Sequence, residues 1–436
     1  MKLYPSPSAA VLLVLVFALN RASALGGQPA VPAAPGKEVK GEKARVSAPH
    51  VPPADLKELT AGNRAFGLEL YQSLRAAPGN LFLSPHSISA ALAMTYAGAR
   101  GQTAAEMAKM LHFALPAERL HPAFNGLDIE LASRAGPTTG AARDPVRLYI
   151  VNRLWAQTGF AFLPAFLDVV GENYGAGVSL LDFATATEES RQAINEWVSQ
   201  ATEHKIEELL QPGIVRRDTR LVLTNAVYFK APWELPFAKE LTKPLPFHPL
   251  TGSPFDVPMM QQQQHFLYAK GDGFRAIQLG YGDGELAMLV VVPDAGQFGR
   301  IESSLSAERL AATIRGLQHE QVRLALPKFT FTSSFELKAA LIAQGMTTAF
   351  GERADFSGMT GKRDLAIDKV VHKAFVLVDE TGTEAAAASA VLMGPTGAVP
   401  SREPVVLTID RPFLFFIRDV QTDTVLFVGR VVNPKE

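Results

Sequence analysis

The 436-residue chain carries 42 basic against 43 acidic side chains, a net charge of −1, with 47% hydrophobic residues, 30 prolines and no cysteine. The missing cysteine excludes disulfides, thiolate metal or iron–sulfur sites, a thiol nucleophile and a lipidated cysteine behind a leader peptide. The balanced charge lacks the basic excess of a dedicated nucleic-acid binder, and the apolar fraction is ample for a large folded core.

At the N-terminus Lys2 precedes the apolar run Ala9 to Leu19, and Ala22-Ser23-Ala24 then supplies an A-x-A cleavage pattern. Residues 1–24 are therefore predicted to be a secretory signal peptide, because a run of about 11 residues falls short of the roughly 20 that span a bilayer. Residues 25–54 hold six prolines (29, 32, 35, 49, 52 and 53), mixed Lys and Glu, and no Phe, Trp or Tyr. So little buriable surface predicts a disordered leader. No comparable break follows, so residues 55–436 are read as one domain, with residues 135–144 as a surface loop.

Within that domain Leu59, Asn63, Phe66, Leu70 and Leu74 fall at three- and four-residue spacings and predict a helix. Asn80 to Pro85 reads as a short buried strand stopped by proline. Ile88, Ala91, Leu92 and Tyr96 then carry a second helix. Thr103 to Leu111 predicts a third, with Thr103 and Glu106 placed as a capping box. A further helix is expected at Ser190 to Thr202. Gln261 to His265 is polar and short and reads as a solvated loop, and Gly280 to Gly284 as a hairpin turn. The C-terminal half is rich in strands: Leu221 to Phe229, Glu285 to Val292, Gln321 to Leu326, Phe329 to Thr332, Ala374 to Val378, Val405 to Ile409, Phe413 to Ile417 and Leu426 to Val431. Helices early and strands late predict an α+β fold with mostly antiparallel sheets.

Motifs for chemistry of the chain's own are missing. There is no G-x-S-x-G, H-E-x-x-H or G-x-x-x-x-G-K-[ST], and His319-Glu320 has no second histidine four residues after the first. No local context promotes any Ser, His and Asp to a catalytic set. The chain therefore reads as a non-enzyme with no metal or cofactor. The unusual segment is Asp379 to Ser401, which frames Glu384, four alanines and Ser389 between Thr-Gly-Thr and repeated Gly and Pro. At period two, Thr383, Ala385, Ala387, Ser389, Val391 and Met393 face one way and the charged Glu384 the other. Small uncharged residues on one face can enter an existing sheet without a steric or desolvation penalty. The segment suits a loop in one state and a strand in another.

That stretch resembles the hinge of the serpin reactive-centre loop, and the resemblance extends collinearly over residues 55–436. It is carried by Asn80-Leu81-Phe82-Leu83-Ser84-Pro85-His86-Ser87-Ile88, Ile194-Asn195-Glu196-Trp197-Val198, and Leu223-Thr224-Asn225-Ala226-Val227-Tyr228-Phe229-Lys230-Ala231-Pro232-Trp233. Val257-Pro258-Met259-Met260, Leu326-Pro327-Lys328-Phe329, Asp355-Phe356-Ser357-Gly358-Met359, His372-Lys373-Ala374, Asp410-Arg411-Pro412-Phe413 and Gly429-Arg430-Val431-Val432-Asn433-Pro434 continue it. The resemblance implies three β-sheets, about nine helices and an exposed reactive-centre loop. It also implies irreversible, suicide-substrate inhibition of serine, and by extension cysteine, endopeptidases: the loop is cut as a substrate and then inserts into the main sheet.

By position in these motifs, Glu380, Gly382, Thr383, Glu384, Ala385, Ala386, Ala387 and Ala388 are expected to form the hinge. Ser84, Ser87, Asn225 and His372 are expected to form a polar shutter under the sheet, with Trp233 and Lys328 at the breach above it and Lys328 paired to Glu380. Counting 17 residues from Glu380 puts the scissile bond at Thr396–Gly397, suiting an elastase-like pocket. The loop is longer than in common relatives, so Met393 or Leu392, for a chymotrypsin- or elastase-type target, and Arg402, for a trypsin-type one, remain open. The expected partner is a serine protease of elastase, subtilisin or chymotrypsin type. Pro116 to Arg134 carries only Arg119 and Arg134 as Lys or Arg, so no heparin site is expected. The reading is a monomer without nucleic acid, membrane or cofactor, secreted, or periplasmic if bacterial. A carrier or chaperone of the same scaffold is the alternative, disfavoured by the small hinge residues.

Overall fold

A computed structural model describes residues 32–134, 145–383 and 403–436. The expected signal peptide, the loop at 135–144, hinge residues Glu384 to Ala388 and the scissile-bond candidates Leu392, Met393, Thr396, Gly397 and Arg402 lie outside the described residues.

Ten α-helices occur among the described residues: α1 (Pro53–Leu74), α2 (Pro85–Tyr96), α3 (Gly101–Met110), α4 (Ala117–Ala132), α5 (Pro164–Tyr174), α6 (Thr187–Ala201), α7 (Phe298–Ser303), α8 (Ala307–Arg315), α9 (Lys338–Ala343) and α10 (Ser357–Thr360). None is long and apolar enough to cross a membrane. The start of α2 shows why its sequence folds locally. Pro85 sits at the first turn, where no N–H is needed, and the Ser84 hydroxyl accepts the Ser87 N–H as an N-cap.

The main sheet has seven strands in the order β1 (Lys37–Val39), β4 (Val178–Leu181), β3 (Arg147–Gln157), β5 (Leu221–Pro232), β13 (Gly382–Thr383), β12 (Lys369–Val378) and β11 (Phe329–Glu336). Every residue of β5 except Lys230 is buried. Its hydrophobic run is what a central strand covered on both faces requires. One face receives α6 through Ile194, Trp197 and Val198, packed on Val151, Val222, Ala226 and Val371. The opposite face meets α2 and the second sheet.

That second sheet runs β14 (Val405–Thr408), β10 (Gln318–Pro327), β7 (Phe255–Gly271), β8 (Phe274–Tyr281), β9 (Leu286–Pro293), β15 (Phe413–Asp419), β16 (Val425–Val431) and β2 (Leu81–Leu83), with β6 (Lys243–Phe247) paired to β7. The expected second and third sheets are thus hydrogen-bonded into one. The 17-residue β7 serves both, pairing β6 and β10 along one stretch and β8 at its C-terminal end. The hairpin turn expected at Gly280 to Gly284 falls at residues 282–285, between β8 and β9, with Gly280 and Tyr281 still paired to Ala287 and Leu286.

Three expectations are corrected. Gln261 to His265 is no loop but the middle of β7, in register with Gln321 to Ala325 of β10. Helix α3 starts at Gly101, and Thr103 is not its cap: the Thr103 hydroxyl accepts the Asp355 N–H, and the Glu106 carboxylate accepts Thr347 and Thr348.

The third concerns the leader, of which residues 32–52 are ordered. Lys37–Val39 adds antiparallel to β4 at the edge of the main sheet, and the Trp197 indole donates to the Pro32 carbonyl at 2.8 Å. Farther on, Asp168 accepts the Glu42 N–H, Arg45 reaches Asn125 and Asp128, and the Val46 N–H donates to the Glu172 carbonyl. Composition predicts disorder because it counts only apolar burial. Here order comes from completing a sheet edge and from polar contacts to α4 and α5.

Candidate functional site

The upper half of the main sheet is split. Strands β5 and β12 pair directly and in parallel from Lys369↔Val222 to Phe375↔Tyr228. Above that level they part to admit β13, whose Thr383 pairs antiparallel with Val378 on one side and Ala231 on the other. Gly382 has φ +152°, and a Cβ there would lie 2.1 Å from the Ala231 carbonyl oxygen and 2.6 Å from the Pro232 Cα. The strand can enter at this point only because residue 382 is glycine. Gly382→Val is expected to expel β13 from the sheet at a cost of about 1–3 kcal/mol. Hydrogen exchange should show the Thr383 amide losing protection while β5 and β12 below it keep theirs.

Thr383 is fully buried and shares a hydrogen bond of 2.7 Å with the Tyr281 hydroxyl. Burial pushes the Tyr281 hydroxyl well above the ordinary tyrosine pKa, against the smaller opposing effect of Thr383, so it stays neutral. The Trp233 indole stacks on Tyr281 with ring centroids 4.4 Å apart, and its N–H donates to the Asp379 carbonyl at 2.9 Å. Backbone bonds from Trp233 to Thr381 and from Phe237 to Glu380 fix the turn leading into β13. The Glu380 carboxylate accepts Lys328 Nζ and the Thr242 hydroxyl, both at 2.8 Å. Burial alone raises the Glu380 pKa, but Lys328 and Thr242 together outweigh it and hold the carboxyl below its usual value. The expected breach pair is therefore in contact. Sequence reasoning missed Tyr281 and Thr242: Tyr281 was read only as part of a turn, and nothing local marks either as a partner of the hinge.

Lower down, the expected shutter residues meet beneath β5 and β12. The Ser84 N–H donates to His372 Nε2 at 3.2 Å, which places the imidazole proton on Nδ1, where it is donated to Asn225 Oδ1. Asn225 Nδ2 in turn donates to the Ser87 hydroxyl and to Asn152 Oδ1. The Ser84 hydroxyl donates to the Leu426 carbonyl at 2.7 Å. All four expected members belong to one network, and Asn152 on β3 is a fifth that sequence reasoning missed. Its signal was its place in an apolar strand, Arg147–Gln157, that was itself not predicted.

With both ring nitrogens used, His372 is neutral, and burial lowers its pKa to about 3. His86 and His121, also lowered by burial, lie at about 4. Unfolding frees all three to bind protons near pH 6.5, so their contribution to stability is complete above that value and is lost as pH falls toward 4 and 3. Urea midpoints should be flat above pH 7 and decline below about 6.5. His372→Gln should make the slope shallower by about 1.4 kcal/mol per pH unit.

Residues 61–434 match the family model described as serpin (serine protease inhibitor). An uncharacterized serpin-like protein of Thermococcus kodakarensis is 40% identical over 372 residues, 85% of each chain. The leukocyte elastase inhibitor of Sus scrofa is 39% identical over 87% of this chain and its own full length. Among solved structures, the thermophilic serpin tengpin in its native state superposes with a TM-score of 0.79 at 26% identity, over 91% of this chain and 97% of that one. The fold, with its split main sheet, defines a serpin, and the chain belongs to the serpin family.

Proposed function

We propose that the protein is a secreted suicide-substrate inhibitor of serine endopeptidases that traps the acyl-enzyme by inserting its cleaved loop into the main sheet. The observation that carries this reading is β13, two residues of the loop's N-terminal stem already hydrogen-bonded between β5 and β12. Extension of β13 would separate the seven parallel pairs below it. It would exchange one parallel ladder for two antiparallel ones, which are slightly stronger per residue. In sequence, residues 385, 387 and 389 continue the face of Thr383 with Ala, Ala and Ser, none of which brings bulk or charge into the core. An inserted segment of about 15 residues would carry the tethered enzyme roughly 50 Å.

The inhibitory relatives named for leukocyte elastase support an elastase-like target, as does Thr396 at the proposed cut, with Gly397 after it. The apolar run and Ala22-Ser23-Ala24 support export. Incubation with elastase, subtilisin and trypsin tests the reading. Elastase is expected to give a covalent adduct stable to denaturant, with the released peptide starting at Gly397 by mass spectrometry. Cleavage by all three without adduct would refute inhibition.

A further inference from the structure

Because Gln261 to His265 belongs to β7 and not to a loop, its side chains have fixed neighbours on β10. His265 lies opposite Gln321, and Leu267 opposite His319, so the two histidines are diagonal neighbours across an antiparallel pair. Alternation puts them on one outward face with Gln321 between them. His265 and His319 are exposed and Gln321 is half-buried, whereas Phe266 and Val322, on the other face, are buried.

Most other histidines are committed elsewhere. His86, His121 and His372 are buried, His112 meets Glu69, His204 meets Ser199 and His248 meets Asp410. His50 is exposed on the N-terminal segment. The side chains of His265, His319 and Gln321 make no hydrogen bond or ion pair among the described residues. Arg323, the next residue along this face of β10, donates to Gln263 Oε1 at 3.2 Å. Two free imidazoles and an amide thus share one patch of a rigid sheet.

Diagonal residues of an antiparallel pair stand about 7–8 Å apart, within reach of each other's longer side chains. Imidazoles converging from that distance can hold one ion at about 2.0–2.1 Å from each nitrogen. Neutral imidazole suits copper, nickel and zinc, whereas magnesium and calcium take oxygen ligands. We propose that His265 and His319 bind a divalent transition-metal ion between β7 and β10, with the Gln321 amide oxygen as third ligand and water completing the shell. Copper(II) should bind more tightly than nickel(II) or zinc(II). Among the described residues no three His, Asp or Glu side chains are grouped for a metal ion, so the site is a weak, exchangeable one and not a structural centre. It is separate from the loop and does not depend on the inhibitory reading.

Calorimetric titration of the full chain with nickel(II) chloride at pH 7.5, in a buffer that does not bind metals, tests this. The expected result is one saturable site of micromolar affinity. His265→Asn and His319→Asn should each weaken it about tenfold or more, because either change leaves a single imidazole. Both positions are exposed, so the two variants provide independent readings should one fail to fold. His50→Asn, which removes the other exposed histidine, should leave the affinity unchanged. In NMR spectra, copper(II) at a small fraction of the protein concentration should broaden the ring signals of His265 and His319 before those of the other histidines. No saturable binding, unchanged affinity in a folded His265 or His319 variant, or affinity lost with His50 would overturn the proposal.

Discussion

Thr383→Arg is expected to leave cleavage of the loop by elastase intact and to abolish the denaturant-stable adduct. Thr383 occupies a fully buried position against Tyr281 at the point where β13 enters the sheet. A guanidinium there would lose its hydration without a carboxylate to meet it, since the nearby Glu380 is already engaged by Lys328 and Thr242. On the proposed mechanism, partition between trapping and release is a race between insertion and deacylation. A penalty of about 3 kcal/mol on insertion slows it roughly 100-fold, enough for water to win. The variant should behave as a substrate, turning over many times per enzyme, whereas Thr383→Ser, which keeps the hydroxyl, should still trap. Adduct formation by Thr383→Arg at the wild-type rate would contradict this account of the hinge.

Asn225→Ala is expected to destabilise the native state by about 3 kcal/mol or more. The asparagine joins His372, Ser87 and Asn152, so its removal leaves several buried polar atoms without partners at once. Ser87→Ala should cost about 1 kcal/mol, because Asn225 and Asn152 keep their bond to each other without it. The network also ties the separable strands, β3, β5 and β12, to α2 beneath them. Asn225→Ala should therefore loosen the seam as well as lower the urea midpoint. A midpoint within error of the wild type would show that the network contributes little.

Much of this site was legible in the sequence because its parts come in contiguous motifs. Asn80 to Ile88, Leu223 to Trp233 and His372 to Ala374 each bring one or two of the residues that meet in the buried polar network or beside β13, within a recognisable local frame. Strands with continuous apolar runs, such as Leu286–Pro293 and Phe413–Asp419, were equally readable. What escaped was fixed by neighbours. Gln261 to His265 is a strand because β10 pairs with it, and its exposed outer face tolerates glutamine. Asn152 joins the polar network because β3 lies next to β5 in register, Asn152 opposite Asn225. Residues 32–52 are ordered because β4 offers an unpaired edge, a property of the sheet and not of the leader.

The same distinction applies to the loop. Its small residues are compatible with a strand, but only the parted β5 and β12 supply a place for one. The native sheet is accordingly read as incomplete, with free energy to be gained by adding a strand at its centre.

Thermal unfolding before and after a single cut in the reactive-centre loop tests that claim most directly. Cleavage at the loop by a protease that does not form an adduct should raise the melting temperature by tens of degrees, because the freed stem completes the main sheet. An unchanged melting temperature, with the cut stem still accessible to a second protease, would mean that the sheet does not accept its loop.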